Sequence, residues 1–263
     1  LEFAYHIRKK KDFSTDLNFN VTTITNKVTK VPNGVDYIPG AGFSVGGDIA
    51  TRFQEGYEIG YFFGYQTAGI FQTQEEIDAA GVVQEGAKPG DIIFVDQNGD
   101  GKISFSDDSD KTYLGSAIPD FTFGFNFNVR YKAFDISGMI YSAIGQEIIR
   151  NYERQQPYAN QLGYMVDRWT GPGSTNENPR VTTEATRNNL FSSYYVEDGS
   201  FARLKNIQIG YSFPAPKLKK IKVESFRIYV SANNLITLTR YQGFDPDLGS
   251  SSALSSGVDY GFY

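Results

Sequence analysis

The sequence contains no cysteine and one histidine, His6, among 263 residues. The first absence removes disulfides, thiolate metal sites and cysteine nucleophiles together. The second leaves no material for a Ser-His-Asp relay or a histidine-rich metal centre. No run approaches the ~18 consecutive apolar residues of a membrane-spanning helix. Basic charge is also scarce: Lys+Arg 25 against Asp+Glu 30 gives a net charge of -5. A phosphate-binding surface normally carries a basic excess, so nucleic acid is not expected as a partner. No nucleophile is paired with a base, and an enzyme is not expected either.

What the chain has in quantity is aromatics (Tyr 18, Phe 21) and glycine (27). They alternate with polar residues instead of forming blocks. From 13 to 23 the odd positions are Phe13, Thr15, Leu17, Phe19, Val21 and Thr23, and the even ones are Ser14, Asp16, Asn18, Asn20 and Thr22. From 121 to 131 the odd set is Phe121, Phe123, Phe125, Phe127, Val129 and Tyr131. A period of two sends alternate side chains to opposite faces of a strand. The same rhythm recurs over 1–9, 207–213 and 226–232.

Two environments produce this pattern. In a soluble sandwich the apolar set enters a core; in an outer-membrane barrel it faces lipid while the polar set lines a wet interior. The runs reach the roughly 9–11 residues that a tilted strand needs to cross a bilayer, against ~5–6 for an average soluble strand. Loop lengths point the same way. Turns at 9–12, at Lys132–Ala133 and through 214–225 are short, whereas 27–120, 145–199 and 240–258 are very long, and this one-sidedness suits an outer-membrane barrel. Strands at 1–9, 13–27, 121–131, 134–145, 201–213 and 226–240, with a last one beginning near Asp259, predict seven crossings, provided that 56–71 stays external. Arg203 and Lys205 share the face of Ile207, so that strand must leave the hydrocarbon or change register, since a mid-bilayer charge costs ~2–4 kcal/mol. The chain starts within a strand pattern and stops as another begins, so both ends are expected to be truncated.

The most specific local motif spans 96–107. Asp96, Asn98 and Asp100 supply side-chain oxygens at loop positions 1, 3 and 5, Gly101 permits the bend at 6, and Ile103 stands at 8. Lys102 offers its carbonyl, Ser104 acts directly or through water, and Asp107 closes the shell: the spacing a hard cation such as calcium requires. The flanks read as a strand (Ile92 to Val95) and a polar stretch, not as two helices, so a structural calcium is expected rather than a sensor. An Asx/Gly turn without metal is the alternative.

Other features have plainer readings. His6 falls on the polar face of its strand. Glu75, Glu76 and Asp78 belong to a short helix from Thr73, its N-cap, to Gly81. The basic run 217–222 is expected to be a solvated turn. Tyr152, Tyr158, Tyr164, Trp169, Tyr194 and Tyr195 either stack on sugar rings or pack within the loops.

Several phrases then form an ordered set: Pro89-Gly90-Asp91-Ile92, the 96–107 loop, Tyr113-Leu114-Gly115, Pro119-Asp120-Phe121-Thr122-Phe123-Gly124-Phe125, the run Val196-Glu197-Asp198-Gly199-Ser200-Phe201-Ala202-Arg203-Leu204-Lys205-Asn206-Ile207, Ile209-Gly210-Tyr211, and Asn233-Asn234-Leu235 continuing to Asp247. Together they resemble the C-terminal part of the SusC/RagA family of TonB-linked outer-membrane transporters of the Bacteroidota. The resemblance covers nearly all of 1–263. It implies an all-β chain forming part of a 22-stranded antiparallel transmembrane barrel, with 28–120 extracellular. It also implies a SusD-like surface lipoprotein as lid, TonB acting through an N-terminal plug absent from this chain, and import of glycans or peptides across the outer membrane of a Gram-negative bacterium. The calcium-type loop lies within the family pattern, with two extra residues around Asp108-Ser109. The alternative class is a secreted, calcium-stabilised β-sandwich that binds carbohydrate or acts in adhesion.

Overall fold

The computed structural model describes residues 1–9, 12–43, 47–153, 162–214, 222–249 and 252–261. They divide into two units: Leu1–Thr25, Ile118–Gln146 and Asp198–Tyr241 form the first, and Asn26–Ala117, Glu147–Glu197 and Gln242–Tyr263 the second.

The first unit is one antiparallel sheet of six strands, in the order Glu2–Lys9, Phe13–Thr23, Phe121–Tyr131, Phe134–Ile144, Phe201–Ser212 and Arg227–Thr239. The last five have 11 to 13 residues, long enough for a tilted bilayer crossing. Directly paired residues share a face, and the register sets Phe3, Tyr5 and Ile7 beside Phe19, Leu17 and Thr15. These adjoin Phe125, Phe127 and Val129, then Ile140, Gly138 and Ile136. The band continues through Leu204, Ile207 and Ile209 to Ile236, Ala232 and Val230. One face is therefore a continuous apolar band across all six strands, and among the described residues much of it is exposed: Phe3 is 62% exposed, Ile209 55%, Val230 74% and Leu238 68%. The opposite face is polar. There His6 Nδ1 meets Asp16 Oδ1 at 2.8 Å, Asn18 Nδ2 donates to Glu2 at 2.9 Å, and Asn206 Nδ2 donates to Asn233 Oδ1 at 2.7 Å. His6 thus takes the polar position its parity predicts.

The conflict over Arg203 and Lys205 is resolved by a change of register. The pairing skips Lys205 on both sides, running from Leu204 opposite Ile140 to Asn206 opposite Met139, and from Leu204 opposite Ile236 to Asn206 opposite Asn233. An extra residue in one strand reverses the parity beyond it. Leu204 thereby joins the apolar band, while Arg203 turns to the polar face, where its Nε donates to Thr237 Oγ1 at 2.8 Å. Across the bulge Asn234 takes φ 50°, a left-handed conformation that asparagine tolerates better than most residues.

Among the described residues the large sheet has six strands, and the segment where a seventh was expected to begin, Val258–Asp259, is a two-residue strand of the second unit, paired in parallel with Glu147–Arg150. Its residues are buried, and Asp259 Oδ1 accepts from the Gly261 amide at 2.7 Å. The turn at Lys132–Ala133 is present, with Lys132 at φ 55°. Most of the 9–12 turn and of the basic 217–222 run lies outside the described residues.

The second unit collects what the strand pattern marks as long loops. Tyr37–Pro39, Thr51–Gln54, Tyr61–Tyr65 and Lys111–Gly115 form a four-stranded sheet, Thr67–Ile70 pairs with Ile92–Phe94, and Val196–Asp198 joins Glu147–Arg150 and Val258–Asp259. The stretch 56–71 stays within these sheets and does not enter the six-stranded one. The core is aromatic: Phe43, Phe62, Phe191 and Tyr195 pack with Ile149 and Val258, and a second cluster joins Tyr65, Ile92, Phe94 and Ile103. Each such side chain stabilises the unit by roughly 1.5–3 kcal/mol through apolar burial. The expected helix forms over Gln74–Ala79, with Thr73 Oγ1 accepting from the Glu76 amide.

Candidate functional site

The 96–107 loop is organised by its own side chains. Asp96 accepts from the amides of Gly99 (2.7 Å) and Gly101 (2.8 Å), Asn98 Oδ1 from the amide of Asp100 (2.8 Å), and Asp100 Oδ1 from that of Lys102 (3.1 Å). Gly99 and Gly101 have φ of 74° and 83°, values that an L side chain adopts only under strain. The loop is anchored at its exit. Ile103 enters the second core cluster, and its amide and that of Val83 bond across to Val83 and Gly101.

The structure divides the expected ligand set. Asp96, Asn98, Asp100 and Lys102 follow one another round the bend. Asp107 instead accepts from the Ser109 amide (3.0 Å) and hydroxyl (2.6 Å), and the Ser104 hydroxyl lies 3.3 Å from that of Ser106. The carboxylate that ties the two ends of the loop together is Asp110, fully buried, which accepts from Gln97 N (3.0 Å) and Ser104 N (2.6 Å). Position counting misses it because Asp108-Ser109 lengthen the exit; the run of three carboxylates at 107, 108 and 110 was the available signal. Among the described residues no three acidic or histidine side chains converge as a ready-made metal cluster. The oxygens of Asp96, Asn98 and Asp100 keep further lone pairs, so this donor set fits a hard cation chemically.

Electrostatics follows the same contacts. The Gly101 and Gly99 amides hold the Asp96 carboxyl below its usual range, and Ser109 does so for Asp107. Burial works to raise Asp108, but hydrogen bonds from Lys111 and Arg52 outweigh it and keep it low. Arg52 lies 3.0 Å from Asp108, with its guanidinium between the rings of Tyr37 and Phe63 at 4.0 and 3.6 Å. Burial pushes the neighbouring Tyr61 hydroxyl up to about 12.

Two further carboxylates that loop counting does not single out organise the unit. Asp91 accepts from Arg180 Nε (2.7 Å), Asn188 Nδ2 (3.0 Å) and Lys88 N (2.9 Å). It thus joins the first long loop to the second. Gly90 precedes it because a Cβ there would meet Trp169 and Arg180. Glu197 accepts from Arg150 Nη1 at 2.9 Å. Arg150, within 2.6 Å of Glu153, lies beneath the rings of Tyr164 (4.5 Å) and Tyr194 (4.9 Å). Burial raises the Tyr194 hydroxyl to about 12.

The aromatics of the loops therefore divide. Tyr195 is in the core. Trp169 Nε1 donates to Gln72 Oε1 at 3.2 Å, and Tyr152 and Tyr164 line a cavity. Tyr158 lies outside the described residues. Glu76 accepts from Gln72 N at 2.5 Å and Asp78 from Gln74 Nε2 at 2.9 Å, which makes them capping and helix-surface groups.

No family model matches the sequence. Curated relatives do. A TonB-dependent receptor P3 of Formosa agariphila is 35% identical over the whole chain, which covers 27% of that receptor. The TonB-dependent receptor SusC of Bacteroides thetaiotaomicron is 27% identical over 95% of the chain and 24% of its own length. Among solved structures, the RagAB peptide transporter superposes over 98% of this chain and 26% of its own with a TM-score of 0.71, at 21% identity. The chain thus spans about a quarter of the relatives it matches. A six-stranded sheet with a bare apolar face, the loop unit and this ordered similarity agree: the chain is a partial β-barrel of the SusC/RagA-like TonB-dependent receptors.

Proposed function

We propose that the protein is an outer-membrane importer driven through TonB, in which this chain supplies part of the barrel wall and much of its extracellular surface. The observation that carries the reading is the continuous apolar band, over half exposed at Phe3, Ile209, Val230 and Leu238. In water such a face would be a severe aggregation hazard; against acyl chains it is the required surface. A sandwich would have covered it. The second unit faces outward in this reading, where it meets a SusD-like lipoprotein and the incoming glycan or peptide. Calcium, held by Asp96, Asn98, Asp100 and the Lys102 carbonyl, stiffens one loop of that unit without taking part in transport chemistry.

Fractionation of cells expressing the whole gene tests the assignment. The protein is expected in the outer-membrane fraction, extracted by detergent together with a lipoprotein; a soluble, detergent-independent protein would refute it. Terbium luminescence of the full-length protein tests the loop, with Asp96→Asn abolishing a calcium-competed signal.

A further inference from the structure

The loop unit contains a cavity of about 570 Å³ lined by Arg150, Tyr152, Tyr164, Glu197, Gln242 and Phe244 among others. That volume lies in the range of small-molecule sites, roughly 300–1,000 Å³. Its chemistry narrows the occupant. The guanidinium at its wall is already matched, with Glu153 within 2.6 Å and Glu197 within 2.9 Å, and tyrosine rings cover its faces. Two carboxylates against one buried cation repel an anionic ligand. Glu197 Oε2 accepts from the Gln242 amide at 3.0 Å and Oε1 from Arg150, and each oxygen of this cavity-lining carboxylate keeps a further acceptor site. The Gln242 side chain is exposed and carries both donors and acceptors. Phe244, 80% exposed, presents a flat apolar ring at the rim.

One recurring way to hold an extended peptide is to pair it with a free strand edge. The strand that ends at Arg150 is instead flanked on both sides, by Val196–Asp198 and Val258–Asp259. A neutral pyranose suits the lining better. One C–H face lies on an aromatic ring, its hydroxyls donate to Glu197, and the Gln242 amide reads a donor–acceptor pair. We propose that this cavity is a subsite for one sugar unit of a neutral oligosaccharide, an inference that rests on the importer reading.

The test uses the full-length transporter in detergent. It is screened on an array of neutral glucans, galactans, mannans and xylans, beside sulfated and uronate glycans and a peptide library, followed by calorimetry with the tightest neutral glycan. Phe244→Ala is expected to weaken binding roughly tenfold and Gln242→Ala about three- to tenfold, both with unchanged thermal stability. Binding confined to acidic glycans or peptides, no neutral binder, or a neutral binder held equally by both variants would each overturn the subsite. If the protein is nonetheless found in the outer membrane, the importer reading stands and this inference alone falls; absence from that membrane removes both.

Discussion

The two units use the same residue types in opposite ways. In the second, Phe43, Phe62, Phe191 and Tyr195 are packed against one another with almost no exposed surface. In the first, Phe3, Phe121, Phe134 and Ile209 stand bare on one face of a single sheet. The contrast teaches that an apolar residue does not define a core; the medium it is built to meet does. In the loop unit that medium is other protein, and carboxylates such as Asp91, Asp110 and Glu197 are drawn inside to tie chain segments together. On the sheet it is hydrocarbon, and Asp16, Arg130, Asp135, Arg203 and Arg227 all stand on the opposite face.

The most severe way to break this arrangement is to delete Lys205. Without the bulge residue the pairing register forces Arg203 onto the apolar face, at ~2–4 kcal/mol for that charge alone, and displaces Leu204 from it. The expected outcome is loss of folded barrel in outer membranes, read as loss of the heat-modifiable band on a gel. Lys205→Ala keeps the extra residue and is expected to assemble.

Within the loop unit the largest single effect is expected from Asp91→Ala. It removes the 2.7 Å partner of the mostly buried Arg180 and leaves it the exposed Glu184 carboxylate at 3.6 Å, a change expected to cost up to about 3 kcal/mol. Limited proteolysis should then cut within the 88–91 and 180–188 segments.

Ile209→Arg and Gln208→Arg sharpen the comparison between the faces. The first is expected to cost about 2–4 kcal/mol of barrel stability in lipid vesicles and the second to be close to neutral. Equal effects would mean that the two faces meet the same medium.

The mildest effect concerns acid. Asp96, Asp107 and Asp108 have folded-state pKa values below their ordinary ones. Their stabilisation is therefore complete above about pH 4 and is lost as pH falls through the depressed values. Protease resistance of the loop unit should decline below pH 4 and not between pH 5 and 8, and Asp108→Asn should reduce that decline.

Much of this was legible in advance because a period of two leaves little freedom. Once Phe121, Phe123, Phe125 and Phe127 share a parity, Thr122, Gly124, Asn126 and Asn128 must share the other. The turn at Lys132, the helix after Thr73 and the bend at Gly99–Gly101 were equally local. The Ile209-Gly210-Tyr211 phrase was legible only as a motif. Its reason is that Arg227 reaches Asp135 across position 210, where a Cβ would collide with both. Asp110 escaped notice because loop positions are counted along the chain, whereas its two partners, Gln97 and Ser104, are set by how the exit folds back.

What the sequence alone determined is the alternation, the strand lengths and the chemistry of the bend, since each depends on residues within a few positions of one another. Tertiary structure decided the rest: the skipped Lys205, the capture of Val258–Asp259 by Glu147–Arg150, and the merging of three distant loops around Asp91 and Glu197. Those depend on which strands and loops meet, and contacts between segments 34, 47 or 89 residues apart leave no periodic trace in the chain that makes them.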